Sequence, residues 1–143
     1  MTRRDVNKEI LEAYYNLLNG QLVYDGNDVY IGIRIPRDKT NYVLLYIEDI
    51  TKDTVTDDMA IYDVTVALEV TSVQEQMGGD DRPVNDIMDQ VLSIIDDPDS
   101  LVMTNFNCPL TQYGDMDGDS EQTDTSFILT KTIRMENKIE QTQ

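Results

Sequence analysis

The sequence predicts an α+β fold: a mostly antiparallel β-sheet with two helices packed on one face, in the order α-β-β-β-α-β-β. Three observations predict it. Two long β-rich segments, Tyr42–Val55 and Met59–Gln74, flank a polar break at Asp57-Asp58. Amphipathic helical patterns stand before and after that pair. A last β-rich segment, Ser126–Met135, follows near the end. Sheets with one apolar face and helices with one apolar stripe bury both by packing on each other.

Residues 5–19 read as the first helix. Val6, Ile10, Ala13, Tyr14, Leu17 and Leu18 recur at spacings of three and four, one apolar stripe. Asp5 and Glu9 suit the positive end of the helix dipole, and Asn19-Gly20 is a stop signal. Asp25-Gly26-Asn27-Asp28 is turn chemistry. In Val29–Ile35 the residues Val29, Ile31, Ile33 and Ile35 alternate with others, the period of a strand with one apolar face, and Pro36 ends it. A charged loop follows from Arg37 to Asn41.

Tyr42–Ile47 is apolar on both faces, as a central or doubly covered strand is. In Met59–Gln74, Tyr62, Val64, Val66, Leu68 and Val70 line one face and a more polar set the other. The two segments therefore predict a long antiparallel hairpin with one face under the helices. Gly78-Gly79-Asp80-Asp81 is a loop, and Pro83 suits the first turn of the second helix. Val84, Ile87, Met88, Val91, Leu92 and Ile95 form that helix's stripe, and Asp97-Pro98 is its stop. A strand is expected near Leu101–Phe106, resuming near Leu110–Tyr113, with Pro109 breaking any long ladder. Gly114–Thr125 reads as a polar, acidic loop, and Phe127, Leu129, Ile133 and Met135 mark the last strand.

At 143 residues the chain fits a single domain, 1–143, with residues 137–143 expected as a flexible tail. A chain of this size buries about two thirds of its unfolded surface and needs no disulfide or metal staple. Cys108, alone, has no partner in the chain for a disulfide, which favours a reducing compartment. No apolar run approaches the ~20 residues of a membrane-spanning helix. The first ten residues carry basic groups with no apolar run behind them, which is not the pattern of a signal peptide.

The formal net charge is −17, unevenly placed. Between Asp53 and Thr130 stand 18 of the 28 acidic residues and one basic residue, Arg82; elsewhere 10 acidic and 10 basic residues balance. Gripping DNA through phosphates needs clustered Lys and Arg, so sequence-specific nucleic-acid binding is not expected. A solvated surface or a surface facing a polyanion remain as readings of the acidic stretch.

Chemistry has few carriers here. There is no histidine to activate Cys108 as a nucleophile or to complete the usual zinc site, so no catalytic residue, metal or cofactor is expected. Asp115-Met116-Asp117-Gly118-Asp119 evokes a calcium loop, but Ser120 and Ser126 stand where its glycine and glutamate belong. Gly78-Gly79 leads into Asp80-Asp81, which repels an anion. Eight tyrosines are many for this length, and tyrosine is favoured at protein contacts.

The whole arrangement resembles the tail terminator (tail completion) proteins of tailed bacteriophages and related ring proteins of the head–tail neck. The resemblance is carried by the helix Glu9–Leu18, the strand Asn41–Ile47 with Asn41 where a proline is common, the central strand Met59–Val70, the helix Asn85–Asp96 and the strand Phe127–Met135. It covers about residues 5–136 and rests on element order, length and hydrophobic style. It departs from the pattern at Gln74–Gly79 and in the long acidic segment Gly114–Asp124. The resemblance implies a virion protein: a homo-oligomeric ring, hexameric or dodecameric, that completes the tail, joins it to the head between tail-tube and connector proteins, and passes DNA through a channel without sequence-specific binding. Arg34, Arg37, Lys39, Asp57, Asp58, Asp80, Asp81 and Arg82 are then the candidate interface residues, with the basic group meeting Asp80 and Asp81 of the next subunit. The competing expectation is an acidic binding module, a DNA-mimic-like inhibitor or adaptor acting as monomer or dimer.

Overall fold

Asp5 opens the first helix by accepting a hydrogen bond from the Asn7 backbone N–H at 2.9 Å. The computed structural model describes residues 4–55, 59–75, 80–96 and 101–141. Helix α1, Val6–Leu18, buries Val6, Ile10, Ala13, Tyr14 and Leu18, the stripe read from the sequence. At its end the Asn19 N–H donates to the Tyr15 carbonyl, and Gly20 at φ +77° lets the chain depart. A small hairpin follows, β1 Val23–Tyr24 and β2 Asn27–Asp28. Asp25 at φ 54° and Gly26 at φ 77° form its two-residue turn, the left-handed pair that matches strand twist.

The strand expected over residues 29–35 is cut to β3, Tyr30–Gly32. It pairs in parallel with the start of β4, Asn41–Val55, through Tyr30↔Tyr42, Ile31↔Val43 and Gly32↔Leu44. Val29 and Ile31 are buried, whereas Ile33 and Ile35 are 67% and 70% exposed. Alternation records apolar side chains at every second residue; it does not record whether a neighbour is in reach to bury them.

Strand β4 runs antiparallel to β5, Ala60–Glu75, from Asn41↔Ser72 to Val55↔Ala60, with irregularities at Ile47/Asp49 and Lys52/Thr54. This is the long hairpin the sequence predicts; the break at Asp57-Asp58 lies outside the described residues. Helix α2, Arg82–Ile95, starts with Pro83 in its first turn and buries Pro83, Val84, Ile87, Met88, Val91 and Ile95. The expected stop at Asp97-Pro98 lies outside the described residues.

Two long strands end the chain, β6 Phe106–Gln122 and β7 Ser126–Gln141. They correct three expectations. Residues 101–105 are not a strand; the Glu9 carboxylate accepts there from the Thr104 and Asn105 backbone N–H groups at 2.9 and 3.0 Å and from Asn105 Nδ2 at 3.0 Å. The polar segment 114–125 is not a loop until Thr123, since β6 pairs with β7 down to Gln122↔Phe127. Backbone N–H and C=O groups make a ladder whatever the side chains, so a polar segment at a sheet edge is strand without apolar alternation. The segment 137–141, expected as tail, is strand: Asn137, Ile139 and Gln141 are buried in β7.

The five-stranded sheet has the order β3-β4-β5-β7-β6. Val43 and Leu45 of β4, Val64 to Val70 at alternate positions of β5, and Ile133, Met135 and Ile139 of β7 form one apolar face, and α1 and α2 pack on it. The α+β architecture with both helices on one face agrees with the prediction; the β1–β2 hairpin adds two strands to the expected order. Inside this layer Tyr14 Oη donates to Asn137 Oδ1 at 2.8 Å, and burial pushes the Tyr14 hydroxyl well above its ordinary pKa. Thr111 Oγ1 also donates to that oxygen, and Asn137 Nδ2 donates to the Val64 and Met135 carbonyls. One buried amide thus ties α1, β5, β6 and β7 together. No helix among the described residues is long and apolar enough to cross a membrane.

Candidate functional site

Because strand side chains alternate, burying one set under the helices sends the other set to the opposite face of the sheet. No helix among the described residues packs there. The register places Asp49 of β4 and Asp63, Glu69 and Glu75 of β5 on this open face, and Glu48, at the β4 bulge, reaches Arg134 there. Strand β7 adds Glu136 and Glu140. Strand β6 adds Asp115, Asp117, Asp119 and Glu121. Eleven carboxylates among the described residues thus share the face with two cations, Arg134 and Lys138.

Arg134 sits at the centre of the face. Its Nε donates to Glu48 Oε2 at 2.5 Å, and its Nη1 donates to Asp117 Oδ2 at 3.0 Å and to Asp115 Oδ1 at 3.5 Å. The Glu48 bond, then the Asp117 bond, hold the guanidinium far above its ordinary pKa. The local cluster is one positive charge among three negative ones. A bulge makes room for it: Tyr113↔Met135 and Met116↔Ile133 leave Gly114 and Asp115 opposite Arg134 alone. A Cβ on Gly114 would stand 2.9 Å from the Arg134 carbonyl oxygen, so glycine is required for that approach. Beside the cluster, Lys138 Nζ lies 3.4 Å from Asp63, and Gln112 Nε2 donates to Glu136 at 3.1 Å. Tyr46 Oη donates to Glu69 Oε2 at 3.3 Å; partial burial and then the Glu69 charge raise its pKa. Among the described residues no group of three His, Cys, Asp or Glu side chains is placed to hold a metal ion.

The candidate interface residues fall in three places. Arg34, Arg37 and Lys39 are exposed on the segment between β3 and β4 and make no ion pair among the described residues. Asp57 and Asp58 lie outside the described residues. Asp80, Asp81 and Arg82 stand together at the start of α2, where Arg82 grips Asp80 with Nε at 3.0 Å and Nη2 at 2.8 Å. That bond lowers the Asp80 pKa, and the Gln74 side chain brackets the Asp80 backbone. The Asp80 carboxylate therefore has a partner in its own chain. The fold does not bring Arg34, Arg37 and Lys39 to this acidic pair within one chain.

Two surfaces were missed in the sequence. One is the β6 strand, for which Asp115, Asp117, Asp119 and Glu121 at every second position were the available signal. The other is an apolar groove between α1 and β3, floored by Leu11, Tyr15, Ile31 and Leu45 and edged by Lys8, Glu12 and Arg34. Cys108 is half buried; burial raises its thiol pKa, and Sγ contacts Thr111 Oγ1 at 3.1 Å and the Leu110 carbonyl at 3.4 Å. No protein-family model matches the sequence, and no curated protein matches it.

Proposed function

We propose that this chain is the subunit of a homo-oligomeric ring of the tailed-phage virion, standing at the head–tail neck or the tail end. It completes the tail, joins it to the head between tail-tube and connector proteins, and lets DNA pass through its channel. The ring is hexameric on this reading, or dodecameric. The observation that carries the reading is the open sheet face, with eleven carboxylates against two cations on a five-stranded floor. Turned toward a channel, such a face repels the DNA backbone by its net charge, and its two cations, Arg134 and Lys138, are each held by carboxylates of the same face. The element order that prompted the resemblance, with both helices on the far face, supports the same reading. Six copies carry −102 formal charges, so basic neighbours or counter-ions belong to the assembly. The work done is assembly and passage, not bond chemistry.

A second reading draws on one specific observation. The four carboxylates at alternate positions of β6 form a ladder of negative charge about 6.7 Å apart, as alternate strand positions are. A ladder of that kind also suits an acidic module that occupies a basic protein's nucleic-acid site.

Electron microscopy of the purified protein separates the two. The ring reading expects class averages with six- or twelve-fold symmetry and a central hole lined by the open face. A particle without a hole, binding a basic protein one to one, contradicts it.

A further inference from the structure

On the ring reading above, we infer that copies of this chain join head to tail, the β6 edge of one subunit seated against the α1–β3 edge of the next. The two outermost strands of the sheet differ in the properties that govern docking. At the β3 end lies the apolar groove, with Tyr15 39% and Ile33 67% exposed beside it. Arg34, Arg37 and Lys39 follow directly in the chain and are unpaired among the described residues. At the β6 end, residues 106–125 hold five carboxylates and no Lys or Arg. Leu110 and Tyr113 stand out from that strand at 46% and 51% exposure.

Strand direction makes the two ends compatible. Strand β3 is parallel to β4, and the three antiparallel steps β4 to β5, β5 to β7 and β7 to β6 leave β6 antiparallel to β3. A second copy carried sideways along the sheet therefore meets the first with β6 antiparallel to β3 and with the helices of both on the same side. Tyr113 pairs with Met135, which is buried under the helices, so Tyr113 lies on the helix side of β6. The groove between α1 and β3 lies on that side too. Tyr113 then meets the apolar groove on the helix side, and the strand that carries the carboxylates meets the segment that carries the cations. The self-pairings are disfavoured, since β6 on β6 sets carboxylates against carboxylates and β3 on β3 sets cations against cations. A head-to-tail contact of this kind repeats, and a rotation per step closes it into a ring.

The test uses two full-length variants: Ile33→Asp with Arg34→Asp at one edge, and Leu110→Asp with Tyr113→Asp at the other. All four positions are exposed, and circular dichroism checks that both variants fold. The expected result is that each variant alone is a monomer, and that an equimolar mixture forms a one-to-one dimer through the single intact junction. Variants that keep the wild-type mass, or a mixture that stays monomeric, overturn the edge assignment. Wild-type protein that remains monomeric up to millimolar concentration overturns the ring reading and this inference together. A wild-type ring with unaffected variants overturns the edge assignment alone.

Discussion

Strands β5 and β6 are nearly equal in length, 16 and 17 residues, and opposite in composition. Strand β5 is paired on both sides, by β4 and β7, and its helix-facing residues Val64, Val66, Leu68 and Val70 are at most 1% exposed. Among the described residues strand β6 is paired on one side only, and it exposes most of its length, with carboxylates at every second position of its second half. The difference separates two roles that sequence patterns merge. Backbone pairing makes a segment a strand. Apolar alternation reports only that one of its faces is buried. A strand at the edge, facing solvent on three sides, is free to carry charge, and that charge also blocks unwanted strand addition.

The largest effect comes from the centre of the sheet. Leu68→Ala removes a fully buried side chain of β5 and is expected to lower unfolding free energy by about 3 kcal/mol. Asp119→Asn on β6 changes it by less than about 0.5 kcal/mol. Chemical denaturation of both variants reads the contrast; equal losses break it. Gly114→Val tests whether the edge strand has any strict position. The new side chain meets the Arg134 carbonyl oxygen, a backbone atom, and the expected loss is about 2 kcal/mol, read in the same way. No loss would mean that the β6–β7 bulge shifts freely.

Tyr14→Phe probes the tie between the layers. Asn137 Oδ1 keeps its bond from Thr111, so no buried acceptor is orphaned and the expected loss is about 1 kcal/mol. A loss several times larger would mean that the hydroxyl organises more than that amide. Glu9→Gln is the smallest and depends on pH. Slight burial raises the Glu9 pKa, and the hydrogen bonds from Asn105 and Thr104, with the charge of Arg4, more than offset this and hold it below the ordinary value. The folded pKa is depressed, so its contribution is full above the unfolded value of about 4.3 and is lost as pH falls through the folded one. Stability against pH should show Glu9→Gln weaker than wild type at neutral pH and the two curves converging in acid. A constant gap would place the effect in packing.

Much of the fold was legible. The helix stripes at Val6–Leu18 and Val84–Ile95 and the β4–β5 hairpin carry apolar residues at the period their burial requires, and burial is what such periods encode. The misread parts share one cause: their structure depends on neighbours distant in sequence. Ile33 and Ile35 have the pattern of a strand and, among the described residues, no strand partner to complete it. Asn137 and Gln141 are polar residues in a buried strand because Tyr14, Thr111 and Val64 satisfy Asn137 and because β6 and β5 flank it. Of the candidate surface, the acidic excess was plain in the composition. Its gathering onto one sheet face was not, since that depends on the register between β4, β5, β7 and β6.

Light scattering of the purified protein at low and moderate salt tests the central claim most directly. A subunit is 16.4 kDa, so the account predicts a defined species near 98 kDa for six copies, or twice that for twelve, favoured as salt screens the −17 charge of each subunit. A species of 16.4 kDa at every salt and protein concentration would contradict it.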